Sequence, residues 1–173
     1  GHRQSLFFSA TFPPQVVPIA QTLLRNPITI SVKSQETARN IDQDVIKIAG
    51  RNKIDVLHNL LTEDGFDKVL VFGRTKFGVE KIATTLFSFG IKEDSIHGNK
   101  SQNYRQKALQ KFKRGEVRVL VATDVAARGL DINGVSHVIN FDLPANYDDY
   151  IHRIGRTGRA DKKGIALTFV DRD

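Results

Sequence analysis

The chain contains no cysteine, no methionine and no tryptophan. Without cysteine, a disulfide framework and every cysteine-ligated zinc site are excluded. Long apolar runs are also missing: no stretch approaches the eighteen residues that mark a membrane-spanning helix. The opening GHRQSLFFSATFPP lacks the basic start, extended apolar core and small-residue cleavage site of a signal peptide. A soluble, intracellular and cytoplasmic protein with no membrane partner is expected. The chain starts Gly1-His2 rather than with methionine and runs at once into Leu6-Phe7-Phe8, which reads as a fragment of a longer protein. Two further absences bear on chemistry. There is no GxxxxGK[ST] phosphate loop, and no strand ends in a cluster of acids suited to Mg²⁺, so no metal site is expected.

What is present fits one domain-sized unit of 173 residues, 40% of them hydrophobic. A chain this long buries roughly 70% of its extended surface and needs no metal or disulfide to hold a core. Lys and Arg number 26 against 19 Asp and Glu, a net charge of +7. That charge permits a polyanionic partner but identifies no site.

Residues 5–8 read as a short buried strand, Pro13-Pro14 followed by VVPIAQTLL as a helix, and ITISV (28–32) as another strand. The polar segment 33–44 reads as a linker. Beyond it, strand and helix patterns alternate. VIKIA (45–49) precedes the helical RNKIDVLHNLLTE, and Lys68–Phe72 precedes the helical KFGVEKIATTLFSFG, with Gly90 as its cap. Asp94–His97 precedes YRQKALQKFKRG, and the strands 117–122, 135–141 and GIALTFV follow. Such alternation, with helices of about ten to fifteen residues, indicates βαβ crossovers. The fold class is α/β, a largely parallel sheet with helices on both faces. Ligands then collect beyond the carboxyl ends of the strands, at the turns after Phe72, His97, Ala122 and Phe141.

Three constellations carry chemical content. In HRIGRTGR (152–159), Arg153, Arg156 and Arg159 recur every third residue with Gly155 and Gly158 between them. Their guanidinium forks can converge on an anion while the glycines let backbone approach it, an arrangement suited to phosphates. His152 either orients a contact or is a satisfied, partly buried histidine. In ATDVAARGLD (122–131), Thr123 can cap a short helix or offer its hydroxyl to a phosphate, and Arg128-Gly129-Leu130-Asp131 places a charged pair around a turn. A carboxylate such as Asp131 can hold ribose hydroxyls. In GNKSQNYRQKALQKFKRG (98–115), Ser101 can cap a helix whose first turn, with Arg105, faces a phosphate. Lys107, Lys111 and Arg114 form a stripe that is either functional or simply solvated. Thr75, between a strand and a helix, is a weaker candidate of the same geometry.

Together these segments resemble the DEAD-box ATP-dependent RNA helicases, specifically the second RecA-like lobe preceded by the last piece of the first. Ser9-Ala10-Thr11 matches the family's SAT motif, Val69–Phe72 with Thr75 resembles the next motif, and Gln102 with Arg105 matches the Q-x-x-R element. ATDVAARGLD and HRIGRTGR are the strongest matches. The resemblance divides the chain into residues 1–32 from the first lobe, a 33–44 linker and a second lobe at 45–173. It implies that Arg156 and Arg159 reach the ATP γ-phosphate, that Asp131 contacts the ribose, and that Arg128 helps close the lobes. It implies an RNA-backbone set of Thr75, Gly98, Gln102, Arg105, Thr123 and Gly129, and coupling roles for Ser9, Thr11, His152 and Arg153. ATP and Mg²⁺ would be held mainly by the first lobe, RNA would be read through its sugar-phosphate backbone, and the chain by itself would be inactive. A non-catalytic RNA-binding or protein-docking module is the alternative.

Overall fold

The computed structural model describes residues 4–8, 14, 16–30, 40–132, 134–158 and 163–171. The chain divides into two compact units, Gly1–Ser34 and Gln35–Asp173.

In the first unit, helix α1 spans Val16–Leu23, where VVPIAQTLL predicts one. Pro18 is tolerated because it sits in the first turn, where its missing N–H has no intrahelical acceptor. Neither expected strand is formed among the described residues. Leu6 and Phe8 are 71% and 86% exposed in irregular backbone, and Ile28 and Ile30 likewise lie outside any strand. An apolar run becomes a buried strand only where a sheet accepts its backbone groups, and neither segment has a ladder partner among the described residues. Val32 lies outside the described residues.

Among the described residues the second unit holds six strands: β1 Ile41–Lys47, β2 Val69–Phe72, β3 Glu93–Ile96, β4 Val119–Ala122, β5 His137–Asn140 and β6 Gly164–Val170. They form one sheet in the order β1-β6-β5-β2-β4-β3, parallel at every pairing. The helices are α2 Lys53–Thr62, α3 Lys76–Ser88, α4 Gln102–Arg114, α5 Asp124–Ala127 and α6 Tyr147–Ile154. Strand β1 begins at Ile41, inside the segment read as linker. Its sequence IDQDVIK is polar because β1 is an edge strand with most side chains in water, and its ladder to β6 runs in register from Ile41–Gly164 to Lys47–Val170. Helix α6 is the one helix the sequence pattern did not announce.

Period-two alternation splits the core between the sheet's faces. Val69, Val71, Val119, Val121 and Ile139 point toward α2 and α3, where they meet Leu57, Leu61, Val79 and Leu86. Leu70, Phe72, Leu120, Ala122 and Val138 point the other way, toward Ala108, Leu109, Phe112 and Ala126. Each fully buried Leu, Val or Phe contributes about 1.5–3 kcal/mol. Helix starts are set by side-chain caps: Asn52 accepts from Ile54 N–H, Thr75 from Gly78 N–H, Ser101 from Tyr104 N–H and Asn146 from Asp149 N–H. Gly115, at φ 76, closes α4 in the left-handed conformation that glycine adopts without strain. Among the described residues no helix is long and apolar enough to cross a membrane.

Candidate functional site

The strand order locates the site. Strand β4 lies on one side of β2 and β5 on the other, so the chain changes sides at the carboxyl end of β2, where α/β sheets open a crevice. The loops there are knit together. Gly73 N–H donates to Ala122 O at 3.0 Å and Asp142 N–H to Phe72 O at 3.2 Å. Arg74 N–H donates to the Asp142 carboxylate at 2.8 Å.

Arg153 occupies the centre of this knot. It is 2% exposed. Its Nε and Nη2 donate to the two oxygens of Asp124 at 2.7 and 2.8 Å, a bidentate pair. Its Nη1 donates to Asn140 Oδ1 at 3.1 Å and to Asp142 O at 2.7 Å, and its guanidinium lies 5.0 Å from the Phe72 ring centroid. One side chain thus fastens the ends of β2 and β5 to α5. The expected convergence of three forks on an anion is corrected here, because Arg153 turns into the protein. The reason is local: α6 ends at Ile154, so Arg153 lies in the last turn of a helix and is buried, while Arg156 lies past the helix end and stays half-exposed.

Nη1 of Arg156 donates to Leu130 O at 2.9 Å. That bond ties it to the turn that carries Arg128, Gly129 and Asp131. Arg128 pairs with the buried carboxylate of Asp149, whose other oxygen accepts from Asn146 Nδ2 at 3.0 Å. His152 lines the same crevice as Arg128, Arg153 and Arg156. Its Nδ1 is buried with no hydrogen-bond partner, so the reading of a satisfied histidine fails at that atom. Thr123 starts α5, yet its hydroxyl makes no capping bond; its carbonyl accepts the first helical bond, from Ala127 N–H at 3.0 Å. Asp131 is exposed and pairs with Lys113 at 2.7 Å. Gly129 has φ 73, which makes the turn a glycine position.

Gly158 corrects a second expectation. A Cβ there would lie 2.6 Å from Ile41 Cγ1 and 2.9 Å from Asn40 O, so this glycine is required by packing against the start of β1 rather than by the approach of a ligand. Arg159, Ser9 and Thr11 lie outside the described residues.

Further along the same sheet edge stand the residues after β2 and β3. Thr75 is exposed and its hydroxyl caps α3 at 3.0 Å. Gly98 and Gln102 are exposed, and a Cβ at Gly98 would meet nothing within 4 Å. Arg105, on the first turn of α4, is half-buried with its Nε unpartnered. Glu80 of α3 sits under this loop. Its carboxylate is held down to about 2, foremost by the hydrogen bond from His97 and then by Lys100 and Ser95, against the opposing effect of burial. Glu93, at the start of β3, is raised to about 6 by burial, with Asp94 and Glu80 adding repulsion. Burial and a bond to Asp94 also push the Tyr104 phenol up.

Sequence reasoning missed the acidic and amide partners: Asn140, Asp142, Asp149 and Glu80. A signal was available for two of them. Asn140 interrupts an otherwise apolar strand, and Asn146 with Asp149 forms a cap pattern three residues apart that also announces α6.

Fold and site together define a class, a RecA-like α/β domain with a charged crevice at the end of its central strand β2. Residues 52–161 match the family described as helicase conserved C-terminal domain, and the chain belongs to that family as a C-terminal RecA-like domain of the DEAD-box type. It is 48% identical over 171 residues to the DEAD-box ATP-dependent RNA helicase CshA of Geobacillus kaustophilus, covering 98% of this chain and 37% of that protein. The chain thus spans about a third of the length of the curated relatives it matches. Among solved structures it is similar to S. cerevisiae Dbp5 bound to RNA and ADP BeF3, with 34% identity, a TM-score of 0.76, and coverage of 96% of this chain and 44% of that one. It is also similar to the E. coli DEAD-box protein SrmB bound to regulator of ribonuclease activity A, with 41% identity, a TM-score of 0.68 and 75% of each chain covered.

Proposed function

We propose that this chain is the lobe of an ATP-driven RNA helicase that grips the RNA backbone and supplies arginine to ATP held by a preceding lobe. The observation that carries the reading is the crevice at the end of β2, where Arg156, tethered to Leu130 O, stands with Arg128 while every hydrogen-bonding group of Arg153 is directed inward. The donor set suits a polyphosphate: the guanidinium groups of Arg128, exposed, and Arg156, half-exposed. It does not suit Mg²⁺, because the carboxylates of Asp124 and Asp149 are both taken by arginines. The metal therefore belongs with the residues of the first lobe, and this chain contributes positive charge across the cleft.

In that reading Arg156, with Arg159, stabilises charge on the transferring phosphoryl group. Asp131 holds the ribose, exchanging its Lys113 partner for hydroxyls. Arg128 and His152 form the closing surface, flanked by the exposed apolar side chains Val125, Leu143 and Tyr147, which suit docking against another domain. Thr75, Gly98, Gln102, Arg105, Thr123 and Gly129 receive the RNA backbone, Ser9 and Thr11 couple hydrolysis to strand separation, and Arg153 acts by holding the crevice together. Recognition through phosphates and sugars predicts weak sequence preference and marked salt dependence.

Arg156→Ala in the full-length protein tests this. RNA-stimulated ATP hydrolysis is expected to fall by about 10²-fold or more, while ADP affinity changes by no more than about two- to threefold. Unchanged hydrolysis rejects the finger assignment. The chain alone is expected to show negligible turnover, and magnesium-dependent, RNA-stimulated hydrolysis by the pure chain contradicts the division of labour.

A further inference from the structure

Glu80 gathers a set of side chains that neither the nucleotide crevice nor the proposed RNA-backbone set includes. Its Oε2 accepts from Ser95 Oγ at 2.9 Å and from His97 Nε2 at 2.9 Å, and its Oε1 accepts from Lys100 Nζ at 3.0 Å. Four residues from α3, β3 and the β3–α4 loop therefore meet at one carboxylate. The ring of His97 extends the network. Its Nδ1 accepts from Asn99 N–H at 3.3 Å, which assigns the proton to Nε2 and makes His97 the donor to Glu80. Lys100 N–H returns to His97 O at 3.0 Å, and Lys76 Nζ reaches Asn99 Oδ1 at 3.1 Å. The result is that Asn99 and Lys100 are held on both backbone and side chain, with Gly98 fixed between His97 and Asn99.

We infer that Glu80 is a positioning residue for nucleic-acid binding, setting the β3–α4 loop so that Gly98, the first turn of α4 and Thr75 present one continuous phosphate-binding surface. The inference rests on the proposed RNA-binding role of this face and adds the residue that shapes it. Glu80 is joined to both halves of that surface. It lies on α3, whose N-cap is Thr75, and it anchors the loop that ends in Ser101, the N-cap of α4. Its effect on affinity has a sign that separates positioning from plain electrostatics. Glu80 is an acid, 47% exposed, on a face proposed to bind a polyanion. By charge alone, removing it strengthens RNA binding, because one repulsion disappears and Lys100 is released. Positioning predicts the reverse.

The test is binding of a fluorescein-labelled single-stranded oligouridylate to the full-length protein, at fixed saturating nucleotide and over a series of salt concentrations. Glu80→Ala is expected to weaken binding about fivefold or more and to make the slope of log affinity against log salt shallower, by about 0.7 for each phosphate that the displaced loop no longer engages. The RNA concentration for half-maximal ATPase should rise while kcat at saturating RNA stays near that of the unsubstituted protein. Glu80→Gln keeps an oxygen acceptor for His97 or Ser95 and is expected to recover part of the loss; it carries the test if Glu80→Ala fails to fold. Equal or tighter binding by a folded Glu80 variant overturns the inference. Arg105→Ala, measured alongside with Glu80 intact, separates the two readings. If it leaves RNA binding unchanged, the RNA assignment of this face fails whatever Glu80 does. If it weakens binding while Glu80→Ala does not, only the positioning role falls.

Discussion

At the end of β2 the charged groups centre on the buried Arg153 and Asp149 and consume one another: Arg153 takes both oxygens of Asp124, Asn140 and a backbone carbonyl, and Asp149 is shared by Arg128 and Asn146. At the β3–α4 loop the charges are nearer water. Glu80 is 47% exposed, and its partners approach from three directions without closing it off. Both arrangements hold a loop at a strand end, but by different physics. A buried bidentate pair is rigid and contributes to stability chiefly because breaking it strands a charge in low dielectric. A half-exposed network contributes less to global stability, because water still solvates its charges, and acts by fixing the loop locally. The first suits a crevice proposed to present Arg156 at a fixed place, and the second a loop proposed to follow a nucleic-acid backbone.

The largest effect on stability is expected at Arg153. Replacing it by Ala leaves the Asp124 carboxylate without its partner and Asn140 with an unmet acceptor, and is expected to cost about 3–5 kcal/mol. Urea unfolding of the chain measures this, and a loss below about 1 kcal/mol would mean that the knot does not bear on stability, erasing the contrast between the two regions. A smaller effect belongs to edge strand β3, which leads into the β3–α4 loop. Glu93 has its carboxyl raised from 4.5 to about 6, so the fold disfavours its ionised form. That penalty is absent below pH 4.5, grows between pH 4.5 and about 6, and is constant above. Glu93→Gln should therefore stabilise the chain at pH 7.5 by about 1 kcal/mol, the shift being discounted for partial exposure, and should do nothing at pH 4. An equal effect at both pH values would refute the assignment. The smallest effect is expected at Lys113, whose pair with the 71% exposed Asp131 lies in water. Lys113→Ala should change stability by less than about 0.5 kcal/mol, read from the same unfolding curves.

The sheet was legible because a parallel sheet covered on both faces writes itself as short apolar runs such as VLVF and VRVLVA between capped helices. Edge strand β1 was harder: with Asp42, Gln43 and Asp44 facing water it has the composition of a linker, and only its partner β6 makes it a strand. Leu6–Phe8 and Ile28–Ile30 show the converse, apolar patterns with no ladder partner among the described residues. At the site, residue types were legible but directions were not. Arg153 and Arg156 belong to one motif, and where α6 stops decides that one is buried and the other half-exposed. Glu80 and Asp149 stayed hidden because an acid on an amphipathic helix has the pattern of a solvated face, and only the tertiary neighbours reveal otherwise.

The two regions are thus proposed to serve two ligands, the crevice nucleotide and the β3–α4 rim RNA. The most direct test is the salt dependence of single-stranded RNA affinity in the full-length protein, without nucleotide, for the unsubstituted protein, Arg105→Ala and Arg156→Ala side by side. A slope shallower by about 0.7 is expected for Arg105→Ala, and an unaltered slope for Arg156→Ala. A slope unchanged in Arg105→Ala, or lowered only in Arg156→Ala, would contradict this division between nucleotide and RNA.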